Sequence, residues 1–153
     1  MASKFRFESL LKVRENERNE KKNAFLEAQA AVQKIQERIR QYKIELEANQ
    51  ETIRAQRASS TTNAEELRQQ QRFHTLLLDR LQKTTEELIT LSELAEQKRN
   101  ELNEAIKEVK ILQTLKEKSE ERRLDDERRR SDKEADELTT RQEALERQKK
   151  TRS

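Results

Sequence analysis

FLEAQAAVQKIQERIRQYKIELEANQETI, residues 25–53, carries the pattern on which the fold turns. Phe25, Ala28, Val32, Ile35, Ile39, Tyr42, Leu46, Asn49 and Ile53 follow one another by steps of three and four. An α-helix turns every 3.6 residues, so this spacing keeps one narrow stripe on one face. A stripe that narrow suits knobs-into-holes packing against a second helix rather than burial in a broad core.

The stripe stops at RASSTTNAEEL, residues 57–67. Ser59, Ser60, Thr61, Thr62 and Asn63 compete with the helix backbone for hydrogen bonds and favour caps. Thr62 with Glu65 has capping-box spacing, and Asn63 with Glu66 has it in a looser form. Helix one is therefore expected over about 8–57, a turn over about 58–63 and helix two over about 64–150. The second stripe runs through His74, Leu77, Leu81, Thr84, Leu88, Leu91, Ala95, Lys98, Leu102, Ala105, Val109 and Leu112. A chain folded back near residue 61 brings the two stripes face to face, with paired residue numbers adding to about 123. Leu46 then meets Leu77, Tyr42 meets Leu81, Ile35 meets Leu88 and Val32 meets Leu91. Asn49 falls opposite His74, a polar pair suited to fixing register. Arms of about 50 residues give a hairpin on the order of 75 Å long.

Towards the open end Arg14, Arg18 and Lys21 take seam positions. Leu10, Leu11 and Val13 are expected to restore apolar contact there, opposite Ile111, Leu112 and Leu115. Residues 116–153 have no partner segment within the chain. Leu124, Leu138 and Leu145 recur at multiples of seven, with Ser131 in the missing slot. That stripe is too thin for a core of its own, so this overhang either frays in isolation or docks into a partner, and docking is the expectation. The fold expected is all-α: a long antiparallel two-helix coiled coil, an α-hairpin, with a C-terminal helical overhang, as one elongated domain over 1–153.

Composition agrees. Of 153 residues 42% are charged and 31% hydrophobic, and Gly, Pro, Cys and Trp are absent. Globular domains carry about 45–50% apolar residues, so a thick core is excluded, while the lack of helix breakers favours long helices. No run approaches the roughly 20 apolar residues of a membrane span. Arg6, Glu8 and Lys12 interrupt the opening apolar residues, whereas a signal peptide needs about 7–15 in a row. The opening is thus expected to be retained, and the protein to be soluble and cytosolic. The net charge of +3 comes from 34 basic and 31 acidic residues, interspersed. The run Arg128, Arg129, Arg130 is flanked by Asp125, Asp126, Glu127 and Asp132. A nucleic-acid groove needs a basic stripe free of acid, so no nucleic-acid partner is expected.

Catalytic chemistry has little to draw on. One histidine allows neither a His-pair metal site nor a triad. Without glycine there is no phosphate-cradling Gly-rich loop. No catalytic, cofactor-binding or metal-binding residue is expected, so function falls to binding surfaces. One candidate is QRFHTLLLDRLQ, residues 71–82. His74, Leu77 and Leu81 belong to the seam, while Phe73 and Leu76 lie outside it as neighbours on one face. Arg80 continues their column and Leu78 flanks the other side. Two readings stand open: a partner site, or a local layer packed on the turn at 58–63.

The order of these features resembles a known family. FRFESLLKVRENE, residues 5–17, resembles the start of the flagellar export protein FliJ: an aromatic-x-aromatic step, a Leu-Leu pair, then Arg followed by acids. Phe5, Phe7, Leu10, Leu11, Arg14 and Glu17 carry it. RFHTLLLDRL, residues 72–81, resembles that family's mid-chain aromatic-and-leucine segment. EVKILQTLKEKSEERRLDDERRRSDKEADEL, residues 108–138, resembles its charged C-terminal helix, ending on Asp136, Glu137 and Leu138. The resemblance covers essentially the whole chain.

It implies a non-enzymatic stalk, similar to the central-stalk gamma subunit of rotary ATPases. Such a protein sits in the hexameric flagellar export ATPase ring (FliI), contacts the export gate protein FlhA and interacts with export chaperones. It helps couple ATP hydrolysis and proton motive force to export. Carried onto this sequence, Phe5, Phe7, Leu10, Leu11, Arg14, Leu124 and Leu138 would meet the ATPase ring, and Phe73, Leu76 and Arg80 the export gate. Membrane association would be peripheral, through the apparatus at the cytoplasmic face of the inner membrane. The equivalent stalk of a virulence secretion system and a generic dimeric coiled-coil scaffold are the other expectations the pattern admits.

Overall fold

The computed structural model describes residues 5–61 and 63–152. It is all-α. Helix α1 spans Glu8–Ala58 and helix α2 spans Ala64–Arg152, and the described residues include no strand. The two helices pack against each other as an antiparallel α-hairpin. The chain divides into two compact units, Asn16–Ile106 and Met1–Glu15 with Lys107–Ser153.

In the unit Asn16–Ile106 both predicted stripes turn inward. Ile35, Ile39, Leu46, Asn49, Leu77, Thr84 and Ala105 are buried, and the remaining stripe positions from Phe25 to Leu102 are half-buried. Leu77 is 0% exposed, the most enclosed side chain of the hairpin. Three contacts fix the register. His74 Nδ1 lies 3.2 Å from Asn49 Oδ1. Lys21 Nζ reaches Glu101 at 3.4 Å. The Arg99 guanidinium sits over the Phe25 ring at 5.7 Å, within cation–π range. These pairs agree with the expected numbering constant to within one, and a slip of one heptad would break all three.

Two buried polar residues on the seam, Asn49 and Thr84, have partners. Asn49 is 4% exposed. Its Nδ2 donates to Gln70 Oε1 at 2.8 Å and to the Gln70 carbonyl at 3.4 Å. With Nδ2 spent as donor, Oδ1 is the acceptor facing His74. Buried Thr84 returns its hydroxyl to the Arg80 carbonyl at 2.7 Å. Such pairing matters because an unmet buried polar group costs about 1–3 kcal/mol.

A glycine-free chain must end α1 without the usual left-handed cap, and no described residue has a positive φ. Ser59 does the work instead. Its N–H donates to the Ala55 and Gln56 carbonyls, and its Oγ accepts from the Thr61 N–H at 3.3 Å, a serine turn. Asn63 then caps α2: its Oδ1 accepts from the Glu65 N–H at 3.0 Å. The capping box expected for Thr62 lies outside the described residues.

The second unit has a smaller core. Leu11, Val109 and Leu112 form one buried cluster. Glu8 pairs with Lys116 at 3.1 Å and Arg14 with Glu108 at 3.6 Å across the helices. The expected closure by Leu10, Leu11 and Val13 against Ile111, Leu112 and Leu115 is corrected to Leu11 with Val109 and Leu112. Leu10, Val13, Ile111 and Leu115 are exposed. The reason is angular: consecutive helical residues lie about 100° apart, so Leu10 and Leu11 cannot share one face. From Glu117 to Arg152 the side chains are exposed, Arg123 alone being half-buried.

Candidate functional site

The described residues include no cluster of His, Cys, Asp or Glu able to hold a metal ion. No helix among them is long and apolar enough to cross a membrane. One carboxyl stands out electrically. Partial burial pushes Glu101 up, but the Lys21 and Lys98 ammonium groups outweigh it and hold the carboxyl below its ordinary value. Both lie within 3.5 Å of Glu101 Oε2. This is an ion-pair cluster that joins the two helices, Lys21 lying on α1 and Lys98 with Glu101 on α2.

Binding surface is where the molecule is informative. Phe73 and Leu76 stand beside the seam near the turn, 42% and 43% exposed, with Arg80 exposed one turn on. Each directly precedes a seam residue: His74, Leu77 and Leu81. The three therefore form a column along one flank of the stripe. Exposure of this order disfavours the alternative of a layer packed on the turn. Leu78 is exposed as well.

In the other unit the expected ring-facing residues separate. Phe5 and Phe7 meet edge to face with centroids 5.8 Å apart, and the Arg6 guanidinium lies 5.6 Å from the Phe7 ring. Phe5 is half-buried, while Phe7 and Leu10 are exposed. Leu11 is 4% exposed within its own core, so its side chain is already spent on packing. Arg14 is half-buried and paired with Glu108. Leu124 and Leu138 are exposed on α2, as is Leu145.

Sequence reasoning missed two surfaces. On α2, Ile111, Thr114 and Leu115 line an open apolar groove rimmed by Lys107, Lys110 and Lys118. Spacings of three, four and seven among these residues carry the signal, which in the sequence alone is indistinguishable from hairpin closure. At the turn end, polar residues of both helices line a second groove of about 440 Å³; no apolar pattern marks it. Comparison with known proteins gives one match: the family model described as Flagellar FliJ protein matches residues 3–148. No curated protein and no solved structure matches the chain.

Proposed function

The chain belongs to the flagellar FliJ protein family, a family of non-catalytic, flagellar export-associated components, and on that premise we propose that it is a stalk of the export machinery. In this reading it binds the hexameric export ATPase (FliI) ring and the export gate protein FlhA, and interacts with export chaperones. It helps couple ATP hydrolysis and proton motive force to protein export. It works on the cytoplasmic face of the inner membrane at the flagellar base, held there through the apparatus. The family match supports a flagellar setting over a virulence one.

The observation that carries the reading is the stretch of α2 beyond Lys116, helical yet exposed along Leu124 and Leu138. A lone charged helix gains only a few tenths of a kcal/mol per intrahelical ion pair, such as Arg123 with Glu127 at 3.1 Å. A helix so weakly self-supported is suited to docking. In the proposal it enters the ring together with Phe5, Phe7, Leu10 and Arg14. The Phe73, Leu76 and Arg80 column meets the gate, an apolar pair beside a cation being a common recognition surface.

The test is capture of the purified ATPase and of the gate's soluble domain by the full chain. Phe73→Ala with Leu76→Ala is expected to cut gate capture at least about tenfold, the loss typical of two anchor residues, while ATPase capture and helicity are kept. Equal gate capture by that variant sinks the assignment of the column. Failure of the unaltered chain to capture the ATPase sinks the stalk reading.

A further inference from the structure

The groove at the turn end lies on the flank opposite Phe73 and Leu76. Those two precede seam residues, whereas Gln71 and Thr75 follow the seam positions Gln70 and His74. Helical rotation puts the two sets on opposite sides of the stripe. Gln50, Arg54 and Arg57 line the groove from α1, and Gln71, His74 and Thr75 from α2, with Ile53 between them. No acidic residue lines it.

We propose that this groove docks an acidic, carboxylate-bearing peptide segment of a partner protein. The charge is of one sign. Arg54 and Arg57 present two guanidinium forks one turn apart, the geometry that accepts carboxylates bidentately. Arg54 does touch Glu51 at 3.3 Å, but both side chains are about three-quarters exposed, and such pairs are weak and readily exchanged. His74 is held in place rather than loose, because Asn49 Oδ1 engages its Nδ1 and Gln70 in turn holds Asn49. The Gln50 and Gln71 amides add donors for peptide carbonyls. The Thr75 hydroxyl gives its hydrogen to the Gln71 carbonyl at 3.1 Å, so it acts as an acceptor.

Size favours a peptide over a single small anion. From Gln50 to Arg57 the wall runs two turns of α1, on the order of 10 Å, which spans about three residues of extended chain. Charge distribution disfavours a nucleic acid, since the wall holds two arginines rather than a continuous basic stripe. The proposal is independent of the ATPase and gate assignments, because it rests on this groove alone.

The test uses the full chain and a fluorescein-labelled peptide of about twelve alternating Glu and Ala residues, read by anisotropy at low salt, where charge contacts are least screened. Arg54→Glu with Arg57→Glu is expected to weaken binding at least about tenfold, the fold-change typical of losing charge-assisted contacts. Lys110→Glu with Lys118→Glu changes net charge equally and is expected to leave binding unchanged. Circular dichroism confirms that both variants keep their helices, and Arg54→Gln with Arg57→Gln repeats the loss without charge reversal. Equal weakening by the arginine and lysine pairs, or no weakening by the arginine pair, overturns the proposal. Tighter binding of a single-stranded DNA oligomer of equal charge, lost with the same arginines, also overturns it.

Discussion

Single side chains decide how the two helices line up. Apolar knobs at heptad spacing fit equally well after a slip of seven residues, so Leu46 and Leu77 alone do not fix a register. Asn49 does, because its amide meets Gln70 and its carbonyl oxygen meets His74. Asn49→Ala strands both partners on the seam and should cost about 1–3 kcal/mol, read as lowered thermal stability by circular dichroism. A smaller loss would mean that water replaces the amide.

Glu101 gives a pH signature. Its folded-state pKa is lowered by Lys21 and Lys98. A carboxyl lowered in this way adds stability that is fully present above its unfolded value, near 4.3, and is lost as pH falls through the folded one. Stability should therefore drop below about pH 4.3. Glu101→Gln should be less stable than the native chain at neutral pH and should lose part of this acid sensitivity. Identical pH profiles for the two would contradict the assignment. The Asn49 and His74 pairing was legible in the sequence, because each occupies a stripe position. The Glu101 cluster was not, because periodicity says nothing about which charges flank a seam.

At the scale of the element, the stripe alone was enough to give two long helices, their antiparallel pairing and the position of the turn. Phe25 to Ile53 and His74 to Leu112 all turn inward because a 3-4 spacing has only one face to offer. The reading failed where apolar residues are adjacent. Leu10, Leu11 and Val13 sit together in the sequence, yet a helix rotates Leu10 and Val13 away when Leu11 faces Val109 and Leu112. The neighbours yield a paired prediction. Leu11→Ala should cost about 2–4 kcal/mol, as large-to-small changes in a core do. Leu10→Ala should stay within about 0.5 kcal/mol, as exposed changes do. Thermal or denaturant unfolding of the two variants checks this, and equal losses would mean that the helix is rotated from the position described. The candidate site was legible in the same partial way. Phe73 and Leu76 stand out as apolar residues the seam does not use. The basic groove on the opposite flank does not, since Arg54 and Arg57 read as ordinary surface charge until α2 closes the other wall.

Across the whole molecule, apolar surface is divided between what the chain consumes and what it leaves. The seam is consumed within one chain, so no second copy is needed to cover it. Phe7, Phe73, Leu76, Leu124 and Leu138 are left at the surface, and the proposed function assigns them to contacts with the export apparatus. In the proposed function the α2 stretch beyond Lys116 is completed by the ATPase ring. Amide hydrogen exchange of the full chain, alone and with the purified hexameric ATPase, tests it most directly. Alone, residues 117–152 should exchange far faster than the seam segments of α1 and α2, because all their side chains but that of Arg123 are exposed. On the ring they should become protected while the segment around Leu77 stays as it was. Unchanged fast exchange in 117–152 on a ring that has bound the chain would contradict the account.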